Sequence, residues 1–421
     1  MKKSLLFFIV FVLVCPMGIK AEEVPLTLEE AILIALRDNR EILLKAEDLK
    51  KAKSKISEAE SELFPTLDFT ASWLYNLGYY TKDFAQVATQ ATLKKYLYKG
   101  GKIMNTIKYN GYNFEVSQAI LDKTKLETIL DLKKVFYALL LVKEFSALNK
   151  NILLNSQEHV NLVRARYKNG QASESDILNI EASLQNVEQA YQDSLNQVEA
   201  AQVLLNNLLY LDKDNRIVPI AEFNYALQEV AYDEGFLKAM SSRPEIRQYE
   251  AQIKAAQKAV EISKAGSRPE IYASWDYYSR SHTSGTASKN WNDYNTVGLT
   301  VSWPIFDSWS TKAKVEQAIV DLKQAQLLKE KTTRDIISEL KNAYLALKDA
   351  IAKIKTSEAE LKVYNDYLLS TNDKYAQGIS SSLELGDAKV KFAVSGFNQK
   401  QAIYDYIIAK ESFAKVTGGS L

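Results

Sequence analysis

The chain has 421 residues, with 53 basic and 52 acidic side chains, two histidines and one cysteine. Near-neutrality leaves no basic patch for nucleic acid. Two distant histidines, His159 and His282, and the single Cys15 supply neither a zinc cluster nor a thiol nucleophile. No glycine-rich phosphate loop follows a strand-like stretch either, so no catalytic group or cofactor is expected.

Residues 1–21 read as a secretory signal peptide: Met1-Lys2-Lys3, an apolar run from Leu5 to Val14, and Ala21 at the cleavage point. The run is too short to span a bilayer, and Val14 before Cys15 argues against lipid attachment, which favours a small preceding residue. The mature chain then holds 50 basic against 52 acidic side chains and no disulfide framework. Thr27 with Glu30 forms a capping box that opens a helix running to about Glu62, where Phe64-Pro65 stops it. The period next changes from 3.6 to 2: Leu67, Phe69, Ala71, Trp73 and Tyr75 alternate with Asp68, Thr70 and Ser72. The partner strand, about Val87 to Tyr98, alternates less cleanly. From Lys102 to Tyr167 there is no proline and one glycine, Gly111, which predicts a helix of roughly 100 Å. Gly170 suits the left-handed C-cap, Ser173 with Asp176 restarts a helix, and that helix returns to about Leu208.

A charge-rich, irregular connector follows, and then the pattern recurs. Arg268-Pro269-Glu270-Ile271 matches Phe64-Pro65-Thr66-Leu67, and Ile305-Phe306-Asp307-Ser308-Trp309 matches Leu97-Tyr98-Lys99-Gly100-Gly101. Tyr375-Ala376-Gln377-Gly378 matches Tyr167-Lys168-Asn169-Gly170. Pro65 and Pro269 stand 204 residues apart, and Gly170 and Gly378 stand 208 apart. The expected organisation is a first repeat at 22–211 (β-hairpin about 66–98, helical hairpin 102–208), a connector at 212–240, and a second repeat at 241–421 (β-hairpin about 270–305, helical hairpin 310–416). Such long helices survive by packing side by side as coiled coils.

The strands put Trp73, Tyr75, Trp275, Tyr277 and Trp303 on apolar faces, as lipid-facing barrel strands do near membrane interfaces; Tyr79, Tyr80, Tyr278, Trp291 and Tyr294 either extend this aromatic belt or fill extracellular loops. The mature chain has no 18-residue apolar run for a membrane helix. In lipid, β-structure must close on itself, and four strands cannot form a barrel. The strands are therefore pooled with copies of the same chain, or they face a helix layer in a soluble α+β protein.

The chain resembles the TolC-like outer-membrane efflux proteins. The residues that carry the resemblance are Leu26-Thr27-Leu28-Glu29-Glu30-Ala31 with Ala35-Leu36-Arg37-Asp38-Asn39, the two proline-containing strand starts, Arg243-Pro244-Glu245-Ile246, Trp303-Pro304-Ile305-Phe306-Asp307, and both glycine-bearing tips. The resemblance implies a mainly α fold with a membrane β-barrel: a homotrimer whose subunits each give four strands to a 12-stranded barrel. The long helices would continue it as a periplasmic coiled-coil barrel. It implies a passive exit duct for drugs, small molecules or proteins in the outer membrane of a Gram-negative bacterium, working with a periplasmic adaptor and an inner-membrane pump and binding no cofactor. By local match, a periplasmic acidic ring falls at Glu384 and Asp387. Asp387 has Asn179 as its counterpart and breaks the symmetry of the copies, whereas Glu384 also reads as a helix-capping residue. The tips, Asn169, Gly170 and Gln171 with Gly378, Ile379 and Ser380, are the expected adaptor contacts, against a plain helix–helix turn. Departures from the family pattern are Asn39-Arg40 where Asn-Pro is frequent, Lys99 where aspartate is usual, no basic residue near Ser380, and a missing C-terminal extension. The alternatives are a periplasmic coiled-coil scaffold without a pore and, least supported, an enzyme.

Overall fold

A computed structural model describes residues 23–79, 82–211, 216–221, 223, 225–228, 230–283 and 291–419. The expected signal peptide (1–21), with Cys15, and Tyr80 lie outside the described residues. The chain divides into two compact units, residues 1–35 with 135–222 and residues 36–134 with 223–421.

In the first unit, β1 (Glu23–Thr27) pairs in parallel with β4 (Arg216–Ile220). This strand pair was not expected: a five-residue segment containing Pro219 carries no alternation to read, so the connector is not wholly irregular. Thr27 and Glu30 exchange the two bonds of a capping box, Thr27 N–H to Glu30 Oε2 at 2.9 Å and Glu30 N–H to Thr27 Oγ1 at 3.3 Å, and so open α1 (Leu28–Asp38). The last part of α3 (Lys102–Lys168) and α4 (Glu174–Leu209) complete this unit. Leu139, Leu205, Leu209 and Ile217 are fully buried within it.

The second unit begins near a helix break. The helix expected to run unbroken to Glu62 stops at Asn39, whose backbone is extended (φ −63°, ψ 121°) and whose side chain accepts from the N–H groups of Glu41 and Ile42. A buried asparagine thus caps α2 (Arg40–Ser61) without help from a proline. Strands β2 (Thr66–Tyr79), β3 (Lys82–Lys99), β5 (Glu270–Thr283) and β6 (Trp291–Ser302) form an antiparallel sheet in the order β2-β3-β5-β6. Its outer edges are β2 and β6. Helices α5 (Tyr232–Ser242) and α6 (Pro244–Lys264) precede β5, and α7 (Ser310–Ala376) and α8 (Ser382–Val416) follow β6. Two runs of the same order result: two helices, two strands, then a 67-residue helix and its shorter return. At about 1.5 Å per residue each 67-residue helix is about 100 Å long. Neither carries the apolar face of a membrane segment: among the described residues no helix is long and apolar enough to cross a bilayer. The core of this unit is an apolar seam of Leu340, Leu347, Ala350 and Ile354 of α7 against Ala402, Tyr406, Phe413 and Val416 of α8, with Ala239 of α5.

Candidate functional site

The sheet has two chemically distinct faces, set by strand alternation. The register lines up Leu67, Leu93, Trp275 and Val297 across all four strands, and Phe69, Ala91, Tyr277 and Asn295 beside them. Trp73 and Tyr75 stand on this face at 68% and 52% exposure, their rings stacked 6.2 Å apart. Val297, Leu299 and Val301 are more than three-fifths exposed, and the row continues past the strand end through Trp303 and Ile305. Large apolar side chains in such a row, left exposed by the described residues, mark a surface for a protein or lipid neighbour. The structure brings Trp73, Tyr75, Trp275 and Tyr277 onto this face, while Trp303, one residue beyond β6, donates its indole N–H to Ser267 O at 3.1 Å.

The opposite face is polar. Gln90 Nε2 lies 3.0 Å from Thr92 Oγ1, 3.2 Å from Asp276 Oδ1 and 3.1 Å from the Tyr278 hydroxyl. Thr92 donates to the same Asp276 oxygen at 2.6 Å, and Ser274 to the other at 3.2 Å. Lys94 Nζ stands 4.0 Å from the Tyr272 ring centroid. Tyr278 and Tyr294, expected in the aromatic belt, lie on this polar face and stack on each other with centroids 4.8 Å apart. Their even-numbered places put them opposite Trp275 and Tyr277, which the strand period dictates. The strand alternation predicts a polar face but does not single out the row through Gln90, Thr92, Asp276 and Tyr278. Its signal lay in the even positions of β3 and β5, masked by the poor alternation of β3 and by the register shift between Tyr96 and Tyr98.

Where the strands pass into the long helices, the backbone turns left-handed twice in a row. Gly100 (φ 61°) and Gly101 (φ 82°) do this before α3, and Ser308 (φ 54°) and Trp309 (φ 64°) before α7. Arg268 Nη1 donates to Gly100 O at 2.9 Å. Asp307 accepts from Thr311 N–H at 2.7 Å and so caps α7, whereas Lys99, in the matching place, donates to Glu62 at 2.9 Å.

Both tips end in the same hydrogen-bond pattern. Gly170 (φ 71°) donates to Tyr167 O and Gln171 to Arg166 O; Gly378 (φ 72°) donates to Tyr375 O and Ile379 to Lys374 O. Glycine takes the left-handed position in each, and the Arg166 and Tyr167 carbonyls of α3 and the Lys374 and Tyr375 carbonyls of α7 are satisfied. Asn169, Gly170, Gln171, Gly378 and Ile379 are exposed and Ser380 is half-buried; Ile379 is 71% exposed. Capping boxes restart both return helices, at Ser173 with Asp176 and Ser381 with Glu384. The Ser380 hydroxyl, then the Ser381 N–H, hold the Glu384 carboxyl below the usual carboxylate range. Asp387, one turn further on, is exposed and has no hydrogen-bond or ion-pair partner among the described residues. Glu384 is thus committed to its helix end and Asp387 is free.

Arg243, at the joint of α5 and α6, is only 4% exposed. It donates to both Glu245 oxygens at 3.0 and 2.9 Å, to Glu339 of α7 at 2.9 Å, and to Val416 O at the end of α8 at 3.3 Å. Lys415 adds a bond to Glu339 at 3.0 Å. Burial alone would raise the Glu339 carboxyl, but the Lys415 hydrogen bond and the Arg243 and Lys415 charges outweigh it and lower the carboxyl below its ordinary value. The cluster ties three helices together. Among the described residues no group of three or more His, Cys, Asp or Glu is arranged to hold a metal ion.

The chain as a whole is similar to known proteins. The outer membrane efflux protein family model matches residues 32–209 and 237–419. The alkaline protease secretion protein AprF of Pseudomonas aeruginosa is 21% identical over 417 residues, covering 90% of this chain and 84% of AprF. The CmeC outer membrane channel of Campylobacter jejuni superposes with a TM-score of 0.80 at 16% identity, over 93% of this chain and 85% of CmeC. The MtrE outer membrane channel of Neisseria gonorrhoeae gives 0.73 at 18% identity, over 93% and 89%. At such identities the solved structures speak for the fold, and the family model, covering both runs of elements, speaks for kinship. The chain belongs to the outer membrane efflux protein family.

Proposed function

We propose that three copies of this chain pool their sheets into a 12-stranded barrel in the outer membrane of a Gram-negative bacterium, continued on the periplasmic side by a coiled-coil barrel of the long helices. The assembly is a passive exit duct that carries drugs, small molecules or proteins delivered by an inner-membrane pump through a periplasmic adaptor. The carrying observation is the four-stranded sheet with two open edges, one apolar face and one hydrogen-bonded polar face. Open edges cannot persist in lipid, where every backbone group must be paired, and pooling strands with other copies removes them. The apolar row, with Trp73, Tyr75, Trp275, Tyr277 and Trp303, then meets lipid, and the polar face lines the lumen. Exposed Ile379 and the neighbouring tip residues are the adaptor contact. Asp387, the freer carboxylate, leads an acidic ring to which Glu384 contributes. Threefold carboxylates at a constriction favour cations.

Purified in detergent, the protein should have the mass of three protomers and insert into planar bilayers as a conducting, cation-preferring pore. Asp387→Asn should weaken that preference more than Glu384→Gln. A stable monomer in detergent-free water, or trimers that insert without passing current, would overturn the duct.

A further inference from the structure

Arg280 is the only charged residue on its level of the sheet's polar face: its strand partners are Ala88 on β3 and Asn292 on β6, and Ala88 pairs in turn with Ser72 on β2. Its guanidinium sits 5.3 Å from the Tyr278 ring centroid and 5.9 Å from that of Tyr294, beside the stack those rings form. Its Nε is closed to solvent and lacks a hydrogen-bond partner, and no carboxylate pairs with the group among the described residues. The nearest carboxylate along β5, Asp276, is four residues away, about 13 Å at strand rise, and its oxygens are taken by Thr92, Gln90 and Ser274. That carboxylate is hydrogen-bonded by neutral side chains and makes no ion pair with Arg280 among the described residues. A guanidinium offers five donors in a fork that matches planar oxyanions. Here two aromatic rings hold it in place and, among the described residues, no acid consumes it.

We propose that Arg280, shelved on Tyr278 and Tyr294, is an oxyanion station on the inner wall of the barrel. It takes carboxylate or phosphate groups of passing cargo and raises anion permeability at that level. This rests on the channel reading above, with the polar face turned to the lumen and three copies contributing one arginine each. The station lies ten residues along β5 from Glu270, about 33 Å at strand rise.

The test is reversal potential in a tenfold KCl gradient across planar bilayers, with the native oligomer. Arg280→Gln should lower the chloride-to-potassium permeability ratio at least twofold, and Arg280→Lys should restore most of it. Millimolar pyrophosphate should reduce the wild-type current and leave the Arg280→Gln current unchanged. Pyrophosphate block of the wild type decides the matter alone if Arg280→Gln fails to assemble. A conducting Arg280→Gln channel with an unaltered ratio, or a wild-type current indifferent to pyrophosphate, overturns the station while leaving the duct intact. A wild type that passes no current removes the duct itself, and the station with it.

Discussion

The first run of elements turns its corners with asparagine and glycine and the second with arginine, serine and tryptophan, although the backbone follows the same path. Asn39 separates α1 from α2 by capping with its own side chain, whereas Arg243 separates α5 from α6 and reaches out to Glu245, Glu339 and Val416 O. Gly100 and Gly101 enter α3 in the left-handed region that glycine adopts freely, whereas Ser308 and Trp309 enter α7 in the same region. For residues with a Cβ that conformation costs roughly 1–2 kcal/mol each. Part of the cost is offset nearby, by the Asp307 cap on Thr311 and by the edge-to-face contact of Trp309 with Phe306 at 6.1 Å. One backbone route is therefore maintained in two ways: by permissive residues in the first run, and by side-chain interactions that outweigh local strain in the second.

The contrast can be broken most forcefully at Arg243. Arg243→Ala leaves Glu245 buried without its partner and should cost about 3–5 kcal/mol, seen as a lower denaturant midpoint by circular dichroism in detergent. A loss below 1 kcal/mol would mean that the cluster is not what holds the second joint. Gly100→Ala comes next. It adds left-handed strain and places a Cβ 2.9 Å from both Ala265 O and Arg268 Cβ, for a loss of about 2–3 kcal/mol. An unchanged midpoint would show that the first turn tolerates side chains as the second does. The smallest effect has the opposite sign: Ser308→Gly, at an exposed site, should stabilise by about 0.5–1 kcal/mol once the entropy cost of glycine is subtracted. Destabilisation there would mean that the serine makes a contribution in the assembled protein that one chain does not reveal.

Local features were the ones legible in the sequence. Gly and Pro punctuate the chain where its elements change, so α3 begins at Lys102 and α7 at Ser310, as expected. The boxes at Ser173 and Ser381 are legible because capping acts over three residues. What escaped was either non-local or mute in pattern. Arg243 finds Glu339 and the end of α8 across 96 and 173 residues, and no periodicity announces such a meeting. Asn39 looks like one more polar residue on a helix until its side chain turns back on the backbone. Tyr278 and Tyr294 read as membrane aromatics because composition ignores parity, and one position along a strand decides which face a ring joins. The roles proposed for the tips, for Asp387 and for the aromatic row rest on partner surfaces, which leave no local pattern in a single sequence.

The two open sheet edges also bear on how the protein is made. A solitary copy in water offers β2 and β6 as unpaired templates beside a row of bare aromatic and branched side chains, the combination most prone to uncontrolled strand addition. If the sheets are pooled as proposed, newly synthesised copies need a holding factor or rapid capture by one another, and overproduction that outruns either route should yield insoluble aggregate.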